Sequence, residues 1–415
     1  MTTRDDELRN AVREHYDRVA VNAGGCCGPS CGCSGETTVS FADSYAGLAG
    51  HVAEADLALG CGLPTEAAGI RPGERVLDLG SGAGNDAFVA AALAGPRGRV
   101  IGVDMTPSMV ARAREIAARR GIGTAEFRLG EIEHLPVEGG SVDLVVSNCV
   151  LNLVPDKARA FAEMFRVIAP GGRFAVSDTV LTAPLPESLR GNLDLYAGCV
   201  SGSLPQEEYL RLLASAGFVD IRVNSSKPVP LPADSAGGTA SGTPLASITV
   251  TGWKPLGPDM PAPSVRPAAA EDGPLIRQLL DRHGLPTESL GRGVTTFFVA
   301  ESGSSILGCA GLEHHGGDAL LRSFAVRPSL QDRGIGSLLV RHALREARGA
   351  GATRAVLLTE TAAPFFARFG FRTVGRDALG NPALLASSEF ALVCPSGATA
   401  MVLPLDTAPA GEEAR

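Results

Sequence analysis

The chain has 415 residues, 45 % of them hydrophobic and 20 % charged, with a formal net charge of -8. That length is too great for one ordinary domain and suits two, each able to bury a core. The acidic balance and the lack of any Lys/Arg stripe argue against a nucleic-acid partner, and no apolar run approaches a membrane span. The segment from Met1 to Arg9 is polar and charged, so no secretory signal is expected; this points to the cytoplasm, where thiols stay reduced. Nine cysteines in that setting suggest metal, metalloid or redox chemistry before structural disulfides.

Leu8, Val12, Tyr16 and Val19 fall at spacings of four, four and three, which predicts an amphipathic helix covering the edge of a domain. The stretch Cys26-Cys27-Gly28-Pro29-Ser30-Cys31-Gly32-Cys33 is too rich in Gly and Pro for regular structure and reads as a mobile loop. Four sulfurs in eight residues, with no second cluster, close a poor zinc tetrahedron. Contact with a metalloid and simple redox activity both remain open for that loop. Cys61 follows in Leu59-Gly60-Cys61-Gly62.

A parallel-sheet pattern then begins. Strands are expected at 75–79, 99–103, 125–129, 141–148 and, after the turn Pro170-Gly171-Gly172, at 173–177. Helices are expected between them at 86–94, 107–120 and 156–168, the last opened by Asp156. Further helices near 187–199 and 206–216, and strands at 218–223 and 247–253, complete a seven-stranded, Rossmann-like α/β sheet. A Pro/Gly/Ser/Ala-rich loop occupies 227–244.

Within this pattern, Val76-Leu77-Asp78-Leu79-Gly80-Ser81-Gly82-Ala83-Gly84-Asn85 runs from a buried strand through a glycine-rich turn into an alanine-rich helix. Glycine there permits positive φ and lets backbone N–H groups approach a ligand, although a plain strand-turn-helix corner uses the same residues. The second strand ends in Asp104, twenty residues after Gly84, where a carboxylate can accept both ribose hydroxyls of a nucleoside. That feature fits NAD as well. Ligands of open α/β sheets sit outside the carboxyl ends of the strands, between the first and the fourth, so Cys149 after Ser147-Asn148 should face the crevice. A small buried residue is the alternative for any lone cysteine. Yet Cys61, Cys149 and Cys199 are each bounded by glycine or a strand end, which fits a thiolate site better than three packing accidents.

Asp78 in the first motif, Gly130-Glu131-Ile132 after the third strand and the fourth strand resemble the S-adenosylmethionine (SAM) methyltransferases rather than dehydrogenases. More narrowly, the first 255 or so residues resemble the bacterial arsenite SAM methyltransferases. The resemblance rests on Asp78 to Gly84, Gly102-Val103-Asp104-Met105-Thr106-Pro107, Leu129 to Glu133, Ser147 to Leu153, Gly198-Cys199-Val200-Ser201-Gly202 and the Cys-Cys-Gly-Pro-Ser-Cys loop. It implies that Cys149 and Cys199 hold As(III), with Cys61 a third thiol and a fourth cysteine about thirty residues before it; spacing favours Cys33, then Cys31. It implies that Asp104 holds the ribose, Asp78 and the amides of Gly80, Ser81, Gly82 and Gly84 the methionine end, and Glu131 with Ile132 the adenine. Met105 and Asn148 complete the cofactor set. Asn85 departs from the family, where a bulkier aromatic is common. Trivalent arsenic is soft and thiophilic, and needs no general base because its nucleophile is a lone pair. Thioredoxin or glutathione is expected to restore oxidised thiols, in the service of arsenic detoxification. Rival readings are a metalloid-binding sensor or sequestration protein without turnover, and a SAM methyltransferase for an organic small molecule.

The expected organisation is a methyltransferase domain at 1–254, comprising a cysteine-containing segment at 1–64 and the SAM-binding fold at 65–254. A proline-rich linker at 255–264, a second domain at 265–405 and a disordered tail at 406–415 follow. The second domain reads as α+β with a mostly antiparallel sheet: helices at 272–283, 334–348 and 362–369, and strands at 295–300, 305–312, 320–326, 354–358, near 390–393 and at 399–405. Its Gln331-Asp332-Arg333-Gly334-Ile335-Gly336 loop lies between a strand and a helix, where backbone amides suit a pyrophosphate. With Phe365 to Phe371 it resembles the GNAT N-acetyltransferases, and Leu358 to Ala362 and Phe390 to Pro395 bring it near those associated with arsenic resistance. This implies acetyl-CoA bound by Gln331, Arg333, Gly334 and Gly336. The family's usual tyrosine acid is missing, because Tyr16, Tyr45, Tyr196 and Tyr209 all lie in the first domain. Glu313, His314 and His315 are candidate bases.

Overall fold

The structure is a computed structural model that describes residues 3–22, 43–189, 193–230, 244–291, 293–387, 390 and 397–405. The cysteine loop at 26–33, most of the strand expected near 390–393 and the tail at 406–415 lie outside these residues. The chain divides into two compact units, Met1–Asp259 and Met260–Arg415.

The first unit opens with α1 (Arg4–Asn22), whose first turn carries Asp5, Asp6 and Glu7 where acidic groups complement the helix dipole. There follow α2 (Pro64–Ala68), β1 (Arg75–Leu79), α3 (Asn85–Ala94), β2 (Arg99–Asp104), α4 (Pro107–Arg120), β3 (Ala125–Leu129) and β4 (Val142–Asn148). The unit continues through α5 (Lys157–Val167), β5 (Ile168–Leu181), α6 (Leu193–Ala197), α7 (Gln206–Ser215), β6 (Val219–Pro228) and β7 (Leu245–Trp253). The strands form one seven-stranded sheet in the order β3-β2-β1-β4-β5-β7-β6. β1 to β5 pair in parallel and β7 runs antiparallel to both neighbours. Helices cover both faces, so the strands read as nearly continuous apolar runs. Ala87, Ala90, Ala91 and Ala94 are buried on α3, and their small side chains let that helix lie close on the sheet. The expected Asp156 cap is present, its side chain accepting the Arg159 N–H at 2.9 Å. Because β1 has β2 on one side and β4 on the other, the chain changes direction there and leaves a crevice at the carboxyl ends.

Three expectations for this unit change. The turn at Pro170-Gly171-Gly172 does not delimit β5 but is taken into it, as a register shift between Val142↔Ile168 and Leu144↔Arg173. The helical stretch near 187–199 is two pieces, a 3-10 turn at Glu187–Leu189 and the short α6. And α1 does not cover an edge: it lies across the mouth of the crevice, as its contacts below show.

The second unit contains β8 (Ser264–Pro267), α8 (Gly273–Arg282), β9 (Thr296–Ser302), β10 (Ser305–His315), β11 (Asp318–Val326) and α9 (Ile335–Gly349). It ends with β12 (Arg354–Thr359), α10 (Ala363–Ala367), β13 (Arg372–Val374), α11 (Pro382–Leu385) and β14 (Thr399–Pro404). These give a second seven-stranded sheet, β13-β14-β12-β11-β10-β9-β8, antiparallel except between β11 and β12. The edge strands β8 and β13 escape sequence reading because four and three residues carry too little alternation to register. Among the described residues no helix is long and apolar enough to cross a membrane.

Candidate functional site

The carboxyl ends of β1, β2 and β4 open into a pocket that is partly open to solvent and is lined by residues of all three strand ends. The glycine loop lines one wall. Gly80 has φ +65°, and a Cβ there would overlap the Val150 side chain. Asp104 at the tip of β2 accepts the Gly82 N–H at 2.9 Å and the Thr106 N–H at 2.8 Å, which pins the loop against the second strand. The Thr106 side chain also bonds this carboxylate, which keeps acceptor capacity for a further donor. Met105, Gly130, Glu131 and Ile132 line the pocket beside them, so every cofactor residue expected in the first domain lies on this pocket or in the loop that bounds it.

The charge of the pocket is one-sided. Asp56, Asp78, Asp86, Asp104, Glu131 and Glu133 line it against the guanidinium of Arg9, which is itself engaged by Glu133 at 2.8 Å. Burial, and then the neighbouring carboxylates Asp86 and Asp104, push Asp78 well above the usual carboxylate range. Burial brings Asp86 up to about 6 against the hydrogen bonds of Tyr45 and Asn148, and it raises Asp104 against those of Thr106 and Gly82. Asp78 Oδ2, Ser81 Oγ and Asn85 Oδ1 are buried with no hydrogen-bond partner. Buried polar atoms of this kind are normally satisfied, so a donor-bearing cation is the ligand that fits.

Next to this wall three thiols from three segments meet. Cys61, Cys149 and Cys199 are 2 %, 3 % and 6 % exposed and pack with Val12, Leu153 and Tyr196. The Cys149 thiol hydrogen-bonds those of Cys199 and Cys61, and the Cys199 Sγ–H donates to the Cys149 carbonyl at 3.4 Å. These thiol contacts, with burial, push Cys149 well up; burial raises Cys61 as well. No three His, Cys, Asp or Glu side chains among the described residues form a ready-made metal cage. The three thiols are thus neighbours that would have to draw together to hold a soft ion. Cys149 and Cys199 both have left-handed backbones, φ 57° and 65°, a conformation uncommon outside glycine. The strain is held by neighbours: Cys149 N–H donates to Ser177 O at 2.8 Å, and the Cys199 carbonyl accepts from Thr179 Oγ1 at 2.7 Å and Ser203 Oγ at 3.1 Å. Cys33 and Cys31 lie outside the described residues.

Several participants carried no functional signal in the sequence. Helix α1 closes the mouth through Arg9 on Glu133 and Arg13 on Glu131 at 3.5 Å, and one turn apart it sends Val12 and Tyr16 against the thiols. The Tyr16 hydroxyl contacts the Cys199 side chain and sits 3.5 Å from Ala197 O. Tyr45 and Asp86 also line the pocket, joined to each other and to Asn148. Asp86 had a faint signal as an acid in the first turn after the glycine loop. Tyr16 and Tyr45 had none, since an aromatic on a helix or loop reads first as packing.

In the second unit the loop from Gln331 to Gly334 is exposed at the start of α9, with Gly334 (φ +84°) as the helix's N-terminal cap and Asp332 also left-handed at φ 60°. Gly336 approaches the Phe365 ring, which a Cβ would meet at 3.2 Å. The pairing of β11 with β12 stops at Leu320↔Val356, although the strands continue to Val326 and Thr359. The sheet therefore opens beside the loop, into a slot where backbone groups of both strands are available. Glu313 is a poor free base: burial raises it, but Thr295 at 2.6 Å, Arg322 at 2.7 Å and His315 at 3.2 Å outweigh burial and hold it ionised.

Comparison with known proteins matches residues 70–217 to a methyltransferase domain family and residues 293–373 to an acetyltransferase (GNAT) domain family. An arsenite methyltransferase from Halobacterium salinarum is 46% identical over 52% of this chain and 59% of its own length. One from Aquipseudomonas alcaligenes is 40% identical over 41% of this chain and 51% of its own, so the chain spans little more than half of these relatives. Among solved structures, the arsenic(III) SAM methyltransferase of Chlamydomonas reinhardtii is 40% identical, with a TM-score of 0.42, over 48% of this chain and 69% of that one.

Proposed function

Since the chain is a homologue of the arsenite methyltransferases that also carries a GNAT acetyltransferase domain, we propose that its first domain methylates trivalent arsenic held by Cys61, Cys149 and Cys199. The observation that carries this reading is the meeting of three buried thiols, from three separate segments, beside an acidic pocket in which the unpartnered Asp78 Oδ2 suits a cation. When bound, SAM supplies an electrophilic methyl group, and arsenic on thiolates keeps a lone pair that takes it with no proton to remove.

The residues of the chain do the rest. Asp104 takes the ribose hydroxyls; Asp78, with its orphaned Oδ2, and Ser81 take the ammonium end; Glu131 and Ile132 flank the base. The thiols give up their protons to hydroxide ligands leaving arsenite as water, so no external base is needed. Val12, Leu153 and Tyr196 keep water from the arsenic, and the strained backbones of Cys149 and Cys199 fix the approach. Methylation leaves arsenic formally pentavalent. Two thiols closing as a disulfide return two electrons to it, and thioredoxin or glutathione reopens the disulfide, a cycle suited to arsenic detoxification.

The same reading gives the second domain acetyl-CoA, its pyrophosphate on the Gln331–Gly336 loop and its pantetheine arm in the slot between β11 and β12. Domain limits near 254 and 265 follow.

The test is incubation with arsenite, SAM and thiol, with speciation of arsenic and measurement of S-adenosylhomocysteine. Methylated arsenicals are expected from the parent, and a loss of at least about 100-fold in Cys149→Ser and in Cys199→Ser. Tight arsenite binding without methylated product would make the protein a sequestering one, and indifference to arsenite would point to an organic methyl acceptor.

A further inference from the structure

The segment that carries Cys61 is held by side chains with no thiol of their own. The Asn148 amide donates to Tyr45 Oη at 2.7 Å, to Gly62 O at 2.8 Å and to Asp86 Oδ2 at 3.1 Å, while its Oδ1 accepts the Cys61 N–H at 3.0 Å. The Tyr45 hydroxyl reaches both Asp86 oxygens at 2.8 Å. All three side chains line the pocket; Tyr45 and Asn148 reach the Cys61 segment directly, and Asp86 reaches it through them. The fit is close. A Cβ on Gly60 would lie 2.7 Å from Asn148 Nδ2, and one on Gly62 would lie 2.5 Å from Ser177 Oγ. Glycine on either side of Cys61 is therefore demanded by the approach of the segment to the end of β4 and to β5.

We infer that Tyr45, Asp86 and Asn148 are positioning residues that lock the Cys61 segment onto the strand carrying Cys149, and so deliver the third thiol to the arsenic. This rests on the reading of the thiols as an arsenic site. Asn148 Nδ2 has two N–H groups to share among three oxygens within reach, and two partners of this side chain, the Cys61 N–H and the Gly62 carbonyl, belong to the backbone of the segment itself. Asp86 is the first-turn acid of α3, directly after the glycine loop. One network thus spans the cofactor wall and the third thiol. The other two thiols have holds outside the network: the Cys149 N–H donates to Ser177 O, and the Cys199 carbonyl accepts from Thr179 and Ser203. Loosening the network at Tyr45 or Gly60, with Asn148 left in place, should displace Cys61 more than either of them.

The test uses Tyr45→Phe, which removes the hydroxyl while keeping the ring, and Gly60→Ala, which pushes the segment off Asn148 from the other side. In the full-length protein, both should raise the arsenite KM about tenfold while the SAM Kd moves less than about threefold. Alkylation of Cys61 by iodoacetamide, followed by mass spectrometry of its peptide, should accelerate about tenfold with Cys149 and Cys199 alkylating at parental rates. Equal losses in arsenite and SAM, or Cys61 as protected as in the parent, overturn the inference. If the parent methylates no arsenic, the proposed function fails on its own. The alkylation pattern then still decides whether the network holds Cys61.

Discussion

Asp104 is the residue whose replacement gives the most quantitative account of the cofactor wall. Its two oxygens accept the backbone N–H groups of Gly82 and Thr106, the Thr106 side chain adds a further bond, and the carboxylate lines the pocket. Ribose hydroxyls would share its remaining acceptor capacity. Hydrogen bonds to a charged partner contribute about 1.5–3 kcal/mol each, so Asp104→Ala should cost SAM binding about 3 kcal/mol or more, on the order of a 100-fold weaker Kd. The same substitution leaves the Gly82 and Thr106 N–H groups without acceptors, at about 1–3 kcal/mol each if water does not reach them. The methyltransferase unit should therefore also melt earlier. Asp104→Asn separates the effects: it keeps one acceptor and the volume, so it should weaken SAM by about tenfold with a smaller drop in melting temperature. Titration calorimetry with S-adenosylhomocysteine reads the first effect and calorimetric melting the second. A folded Asp104→Ala protein that binds within twofold of the parent would refute the ribose assignment outright.

Three further outcomes are expected. Because Asp86 is held up at about 6 and must be ionised to favour a cation, SAM affinity should rise with pH through that value, with the Kd at pH 5 about tenfold weaker than at pH 7. By the same linkage the ligand-free protein loses stability as pH rises from about 4 to about 6, since the folded state binds the Asp86 proton more tightly than the unfolded chain does. Gly334→Val should abolish acetyl-CoA binding measured by calorimetry, through the left-handed cap of α9 rather than through any clash, and leave arsenite methylation at the parental rate. At position 149 a glycine should be more stable than an alanine by about 1 kcal/mol in thermal melts, because only glycine accepts φ 57° freely; the usual order is the reverse, and an alanine variant at least as stable would deny the strain.

The two sheets were readable because α/β alternation and helix caps are local signals: Asp156 caps α5 where its side-chain chemistry says it should. Asp104 and the glycine loop were readable for a related reason, since spacing alone puts both at the carboxyl ends of neighbouring strands. What stayed hidden was long-range. Nothing in residues 4–22 says that Arg9 will meet Glu133, 124 residues away, and turn an amphipathic helix into the roof of the pocket. Tyr45 and Asn148 are 103 residues apart, and the hydrogen bond between them is a property of the closed fold. Short edge strands such as β13 failed for the opposite reason, having too few residues to show a period.

The thiol site shows why such a centre is assembled from distant segments. A cysteine in a regular strand or helix points where the element's geometry sends it, and adjacent elements hold side chains too far apart, or too parallel, to close on one ion. Cys149 sits one residue past the end of β4, and Cys199 two past the end of α6, each with its backbone turned left-handed. In that conformation the Cβ leaves the chain in a direction that the flanking elements cannot offer. The cost, on the order of 1–2 kcal/mol per residue, is offset by the hydrogen bonds that Ser177, Thr179 and Ser203 make to the two cysteines' own backbones. Rigid thiols held this way would bind a pyramidal ion with little entropy left to lose, whereas Cys61 lies on a segment held by several side chains, Asn148, Tyr45 and Ser247 among them. On the proposed reading, the site would combine two thiols held at their own backbones with a third held through the Tyr45, Asp86 and Asn148 network.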